Sequence, residues 1–193
     1  MSMLHRVKCL YRVYFSKPKS SRILYRAVRD LRATRIVEFG ITDPERSLKL
    51  IQMAVGMHQG PKGDVQKGDV QISYTAIDSF DARSQSQSPL TLKQAHRYFN
   101  SSGAKVQFVP GSMSEGLART ANTLLGTDLV IFAEDAAPQS DSRLWFFLPR
   151  LLHAKSCVLQ AQDEGEDQGP SFCKITHAEI AQRAASHTRM RVA

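Results

Sequence analysis

The apolar positions of this chain alternate between helical and extended spacing along most of its length. Ile23, Leu24, Ala27, Val28 and Leu31 recur at helical intervals with Arg22, Arg26 and Arg29 turned the other way, which predicts a helix over 20–31. Arg35 to Phe39 is a short β-branched and aromatic run, a first strand. Asp43-Pro44-Glu45-Arg46 then opens a helix with an N-cap residue, a proline in the first turn and an early acid, and Leu48, Ile51, Met53, Ala54 and Val55 carry it to about Met57. Further strands are predicted over 71–77, 104–109, 129–133 and 156–160, separated by helices over 92–99, 112–125 and 144–152. Strands alternating with helices at this cadence predict an α/β fold with a parallel sheet covered on both faces.

The connecting stretches differ in character. His58 to Gly68, with three glycines and a proline, reads as a solvent loop, and Arg83 to Pro89 as a second polar stretch. After Gln160 come an acidic, glycine-containing linker over 163–169 and a short helical pattern over 176–185. No hairpin signal follows. The sheet is expected to stop at five strands or to borrow a short edge strand around Phe172 to Ile175.

Two of the strands end on acids. R-I-V-E-F-G-I-T-D over 35–43 delivers Glu38 and then Gly40 to a turn, and I-S-Y-T-A-I-D over 72–78 delivers Asp78. In an open parallel sheet both carboxylates reach the carboxyl edge, where such folds bind ligands, so a nucleotide-like ligand is the first expectation.

Composition narrows the alternatives. At 193 residues, with 42% hydrophobic and 23% charged residues, the chain suits one soluble domain with appendages. No run approaches the ~18 apolar residues of a membrane span. Three scattered cysteines, Cys9, Cys157 and Cys173, make neither a disulfide framework nor a metal knuckle, and with no secretory signal at the amino terminus a cytoplasmic setting is expected. The six histidines show no zinc spacing, and no metal is expected. Nucleophile-elbow, phosphate-loop and kinase signatures are missing, and Gly40-Ile41-Thr42 does not supply the dinucleotide fingerprint.

The net charge of +8 is placed unevenly, because residues 1–35 hold ten Lys or Arg against the single acid Asp30. A solvated basic helix accounts for this; so does an arm that meets phosphate, acidic lipid or an acidic partner, nucleic acid included. The expected division is a basic arm over 1–19, a main domain over 20–160 and an acidic linker with a short helix over 161–193. Trp145-Phe146-Phe147 is the densest aromatic cluster; three adjacent rings cannot share one helix face, so one of them is a candidate surface for a homodimer.

The order of these pieces resembles a class I S-adenosylmethionine-dependent methyltransferase over about 23–160, and within that class the small bacterial O-methyltransferases related to catechol O-methyltransferase. The parts that carry the resemblance are Val37-Glu38-Phe39-Gly40, Ala76-Ile77-Asp78, Ala95 to Gly103, Val109-Pro110-Gly111-Ser112-Met113 and Thr127-Asp128-Leu129-Val130. It implies a Rossmann-like three-layer sandwich with strand order 3-2-1-4-5, and S-adenosylmethionine as cofactor. It also implies roles for single residues. Gly40 lets backbone approach the ligand. Glu38 orders the loop or receives the ligand ammonium, and Asp78 accepts the ribose hydroxyls. Ser112 and Met113 flank the adenine, while Glu134 and Asp135 contact the acceptor.

Departures from the pattern are equally specific. The glycines stop after Gly40, and Asp43-Pro44 replaces the later ones with a helix start. Ser112 stands where the family carries an aspartate, and Ala133 stands at the first of the two metal-holding acids of metal-dependent relatives. The antiparallel hairpin that ends the family's sheet is expected to be missing. Besides a methyltransferase of unknown acceptor, a degenerate scaffold without cofactor and a nucleic-acid-associated protein are therefore compatible with the sequence.

Overall fold

A computed structural model describes residues 11–15, 21–59, 70–83, 88–133, 142–162 and 171–189. Within them run α1 (Ser21–Leu31), β1 (Arg35–Phe39), α2 (Pro44–His58), β2 (Ser73–Asp78), α3 (Leu92–Phe99), β3 (Lys105–Pro110), α4 (Met113–Thr120), β4 (Thr127–Phe132), α5 (Ser142–Leu151), β5 (Leu152–Gln162), β6 (Ser171–Ile175) and α6 (His177–Arg189). A short helical turn covers 11–15.

The sheet has six strands in the order β3-β2-β1-β4-β5-β6. The first five pair in parallel, as the alternation of elements requires, in the order that the methyltransferase resemblance implies. Successive side chains of a strand point to opposite faces, so β1 sends Ile36 into one core and Val37 and Phe39 into the other. On the first face Leu24 and Val28 of α1, Leu50 and Ile51 of α2 and Phe99 of α3 cover Tyr74, Leu129 and Ile131. On the second, Leu117 of α4, Leu144 and Trp145 of α5 and Ile180 of α6 cover Ile77, Val130 and Phe132. Three layers follow, with β1 and β4 buried at the centre.

Of the two expected endings the sheet takes the second, a short edge strand around Phe172 to Ile175. It pairs antiparallel with β5, Val158 opposite Ile175 and Gln162 opposite Ser171, so the expectation of no terminal antiparallel hairpin is corrected. Phe172 of β6 packs into the first core and Ile175 into the second, on opposite faces of the sheet, while Lys174 stays in water. Thr176 and Glu179 then form a reciprocal cap that starts α6. Arg183 of that helix lays its guanidinium 4.6 Å from the centre of the Trp145 ring.

Smaller differences have local causes. α4 ends at Thr120, short of the expected Leu125, because the chain turns through Leu124 and Gly126 into β4. β5 begins at Leu152, four residues early, and its register slips against β4 between Thr127 and Leu129. Ser156 bridges the irregularity, accepting from the His153 amide at 2.8 Å and donating to the Thr127 carbonyl at 2.7 Å. Trp145 is buried in the core, so of the aromatic triplet only Phe146 is open to water while Phe147 packs partly against the second core. No helix among the described residues is long and apolar enough to cross a membrane.

Candidate functional site

The carboxyl ends of β1, β2 and β4 meet where the strand order reverses, between β1 and β4. Ligands of open α/β sheets bind at such a reversal. Gly40, with φ 75°, turns the chain out of β1 in a conformation that a side chain disfavours, and its amide donates to the Ile77 carbonyl at 3.0 Å. The next amide, that of Ile41, donates to Asp78 Oδ2 at 2.7 Å. The glycine turn and the β2 acid, read separately from the sequence, are therefore locked together. The Ala133 amide donates to the Phe39 carbonyl at 2.9 Å and holds the end of β4 beside them.

Asp78 is fully engaged. Its Oδ1 accepts from the Phe80 amide at 2.7 Å and from Arg83 Nε at 2.8 Å, while Oδ2 accepts from Arg83 Nη2 at 2.5 Å besides the Ile41 amide. A carboxylate offers about four lone-pair positions, and here four N–H groups fill them. The amide contact holds Phe80 at φ 44°, an uncommon backbone conformation for a bulky residue. Arg83 also reaches the Ile41 carbonyl at 2.9 Å and the Ser88 carbonyl at 2.6 Å. It thus joins the β1 turn, the β2 acid and the segment before α3.

Glu38 lies in the layer beneath. It is 1% exposed and accepts from Arg46 Nη2 and Ser47 Oγ, both at 3.0 Å, and from the Tyr74 hydroxyl at 2.6 Å. Burial first, then the Glu38 charge, pushes the Tyr74 phenol well above its usual range, so Tyr74 remains a donor. These partners tie Glu38 to the start of α2, which Asp43 caps by accepting from the Arg46 amide at 3.0 Å. Between them, Thr42 Oγ1 is buried without a hydrogen-bond partner.

Ser112 caps α4 in a reciprocal pair with Glu115, and Met113 begins that helix half-buried against the second core. The Ser112 hydroxyl donates to Glu115 at 2.8 Å, and this bond is the main cause of the lowered Glu115 pKa. Glu134 and Asp135 fall outside the described residues. Among the described residues no cluster of His, Cys, Asp and Glu could hold a metal ion.

Solved structures similar to this chain share the same architecture. One is the O-methyltransferase from Bacillus cereus in complex with SAH, at 11% identity over 96% of this chain and 74% of the other, with a TM-score of 0.51. A second is the O-methyltransferase TomG from Streptomyces achromogenes in complex with SAM, at 14% identity over 98% and 78%, with a TM-score of 0.50. The chain has the fold of these methyltransferases. No protein-family model matches the sequence, and no curated protein matches it.

Within this methyltransferase fold, sequence reasoning reached Glu38, Gly40 and Asp78 through their places at strand ends. It did not reach Arg46, Tyr74 or Arg83, the groups that satisfy the two acids. The available signal was the spacing: an arginine follows each acid by less than ten residues, across the turn that the strand end must make.

Proposed function

We propose that this chain is an S-adenosylmethionine-dependent methyltransferase-like protein of unknown acceptor, with the cofactor held at the carboxyl ends of β1 and β2. The observation that carries the reading is the Ile41 amide on Asp78, which puts a positive-φ glycine turn and a β2 carboxylate side by side at the reversal of strand order. The similar O-methyltransferases crystallised with SAM or SAH support it. Ser112 and Met113 are the proposed adenine neighbours, and Glu134 and Asp135, following Ala133 at the end of β4, the proposed acceptor contacts. When bound, S-adenosylmethionine supplies an electrophilic methyl group on a sulfonium.

The fit carries one condition. A ribose diol needs acceptor capacity on Asp78, and Arg83 uses half of it, so Arg83 has to leave before the diol can enter. The free thiols of Cys157 and Cys173 suit a reducing compartment, the cytoplasm. Phe146, 46% exposed, is the proposed contact of a homodimer.

The same Arg83 contact favours a second reading, a scaffold in which protein groups have replaced the cofactor. Calorimetric titration and thermal shift with S-adenosylmethionine and S-adenosylhomocysteine separate the two. A millimolar Kd at a ligand concentration of about 1 mM gives only about 0.4 kcal/mol of linkage, so titration has to extend well above that. Stabilisation lost in Asp78→Asn supports the cofactor reading. No response in the wild type or in Arg83→Ala leaves the scaffold.

A further inference from the structure

A separate feature lies before α1, where the chain packs against α1 and α2. Residues 11–15 form a helical turn pinned by two inward groups: Val13, fully buried in the first core with Leu24 and Val28, and Arg12, whose Nη1 donates to the Lys49 carbonyl at 2.7 Å. Everything else in the turn faces water. Tyr11 is 62% exposed, Tyr14 48% and Phe15 64%. Tyr11 and Phe15 stack, with ring centres 5.8 Å apart and planes within 24° of parallel. From α1, the guanidinium carbons of Arg26 and Arg29 stand 5.8 Å and 6.0 Å from the centre of the Tyr14 ring.

Exposed rings on a firmly docked turn need a reason, because packing has already been satisfied by Val13. Scattered single apolar residues are ordinary on a surface, but three rings within five residues form a patch, and patches mark contact. The charge beside them says with what. Arg26 and Arg29 stand against Tyr14, Arg29 also pairing with Asp30 at 2.8 Å, and by sequence residues 1–35 hold ten Lys or Arg against that one acid, so the partner is an anion. Rings that offer their faces between arginines suit unpaired bases, which stack on aromatic side chains of any kind while guanidinium groups meet the phosphates.

Two other anionic partners fit less well. A nucleic-acid duplex hides its bases from stacking and is read by a long helix or ribbon in a groove, which a five-residue turn does not provide. A lipid surface calls for a helix with a continuous apolar face, and the aliphatic side chain of this turn, Val13, points into the core.

We propose that Tyr11, Tyr14 and Phe15, with Arg26 and Arg29, form a binding surface for single-stranded nucleic acid. The surface does not depend on the cofactor reading, and its test leaves that reading untouched. Fluorescence anisotropy of the full chain with a labelled 12-nucleotide single-stranded RNA of mixed sequence measures it, beside a 12-base-pair RNA duplex and vesicles of phosphatidylcholine with 30% phosphatidylserine. The expected result is preferential binding of the single strand, weakening about tenfold or more between 50 and 200 mM salt. Tyr11→Ala/Phe15→Ala, which removes only exposed rings, should weaken binding about tenfold or more with an unchanged unfolding transition. Arg26→Ala should flatten the salt dependence. Binding that ignores the ring substitutions, binding of duplex as tight as single strand, capture by vesicles without RNA binding, or no binding at all would each overturn the proposal.

Discussion

The guanidinium of Arg83 lies across both oxygens of Asp78, with Nε 2.8 Å from Oδ1 and Nη2 2.5 Å from Oδ2. Both side chains are almost wholly buried, at 7% and 3% exposure. A two-point contact of this kind is directional as well as charged, and it fixes the carboxylate that the fold presents at its ligand edge. The Ile41 and Phe80 amides complete the shell from the opposite side, so the acid is neutralised by its own chain.

Replacing Arg83 therefore has two opposite effects. Arg83→Ala leaves Asp78 buried with only two amide donors and should lower stability by about 3 kcal/mol, the usual loss when one partner of a buried pair is removed. It also frees two acceptor positions. S-adenosylhomocysteine should then bind more tightly than to the wild type, by at least tenfold in calorimetry. Equal affinities for the two proteins would mean that the ligand does not compete with Arg83.

Glu38 makes the contrasting prediction, because its three donors belong to the framework. Glu38→Ala strands the buried Arg46 and removes the acceptor of Tyr74, so a loss of about 3–5 kcal/mol is expected in urea unfolding. Glu38→Gln keeps the shape and an acceptor and should cost less. In neither variant should added S-adenosylhomocysteine restore the difference. A Glu38→Ala protein as stable as the wild type would show that this network contributes nothing net.

How far the sequence foretold these contacts depends on the type of signal. β1 could be read from R-I-V-E-F and α2 from its Asp43-Pro44 start because a cap and a strand run are local, and both are where the pattern placed them. β6 was harder: with only Phe172 and Ile175 turned inward in a polar stretch, it was legible as one of two outcomes, and antiparallel pairing with β5 decides between them. At the site, the strand-end acids were legible but their partners were not. Arg83 satisfies Asp78 only because Phe80 adopts a positive φ and a short 3-10 turn over 80–82 swings the chain back, a conformation with no glycine to announce it. The rings of residues 11–15 were hidden for a similar reason, since which of five adjacent residues turns inward is decided by the core it meets.

Gly116 tests the packing that carries the second layer. A Cβ there would lie 2.3 Å from Ile77 Cγ2, the residue before Asp78, so α4 approaches β2 as closely as a bare backbone permits. Gly116→Ala should cost about 1–3 kcal/mol by overpacking, despite the helix propensity that alanine brings. Ile77→Leu removes the branched methyl and should recover part of that loss in the double variant. A neutral or stabilising Gly116→Ala would mean that α4 shifts freely.

At the opposite edge of the sheet, Asp128 supplies a pH-dependent fastening. Its Oδ2 accepts from the Thr34 and Arg35 amides at 2.7 Å and 2.9 Å, and its Oδ1 meets His153 Nε2 at 3.0 Å. The Lys155 amide donates to His153 Nδ1 at 3.2 Å, which leaves Nε2 as the protonated nitrogen facing the acid. Burial is the largest influence on Asp128 and raises its pKa. The Thr34 and Arg35 amides, His153 and the Thr34 hydroxyl together outweigh it and hold the carboxyl below its usual range. A folded-state pKa below the unfolded value means that the unfolded chain binds the proton more readily. The stabilisation is complete above the unfolded pKa of about 3.9 and is lost as pH falls through the lower folded value. Asp128→Asn keeps the size but cannot ionise, so its unfolding free energy should fall less than that of the wild type between about pH 5 and pH 2. Parallel curves for the two proteins, followed by urea unfolding across that range, would remove Asp128 as the source of the acid sensitivity.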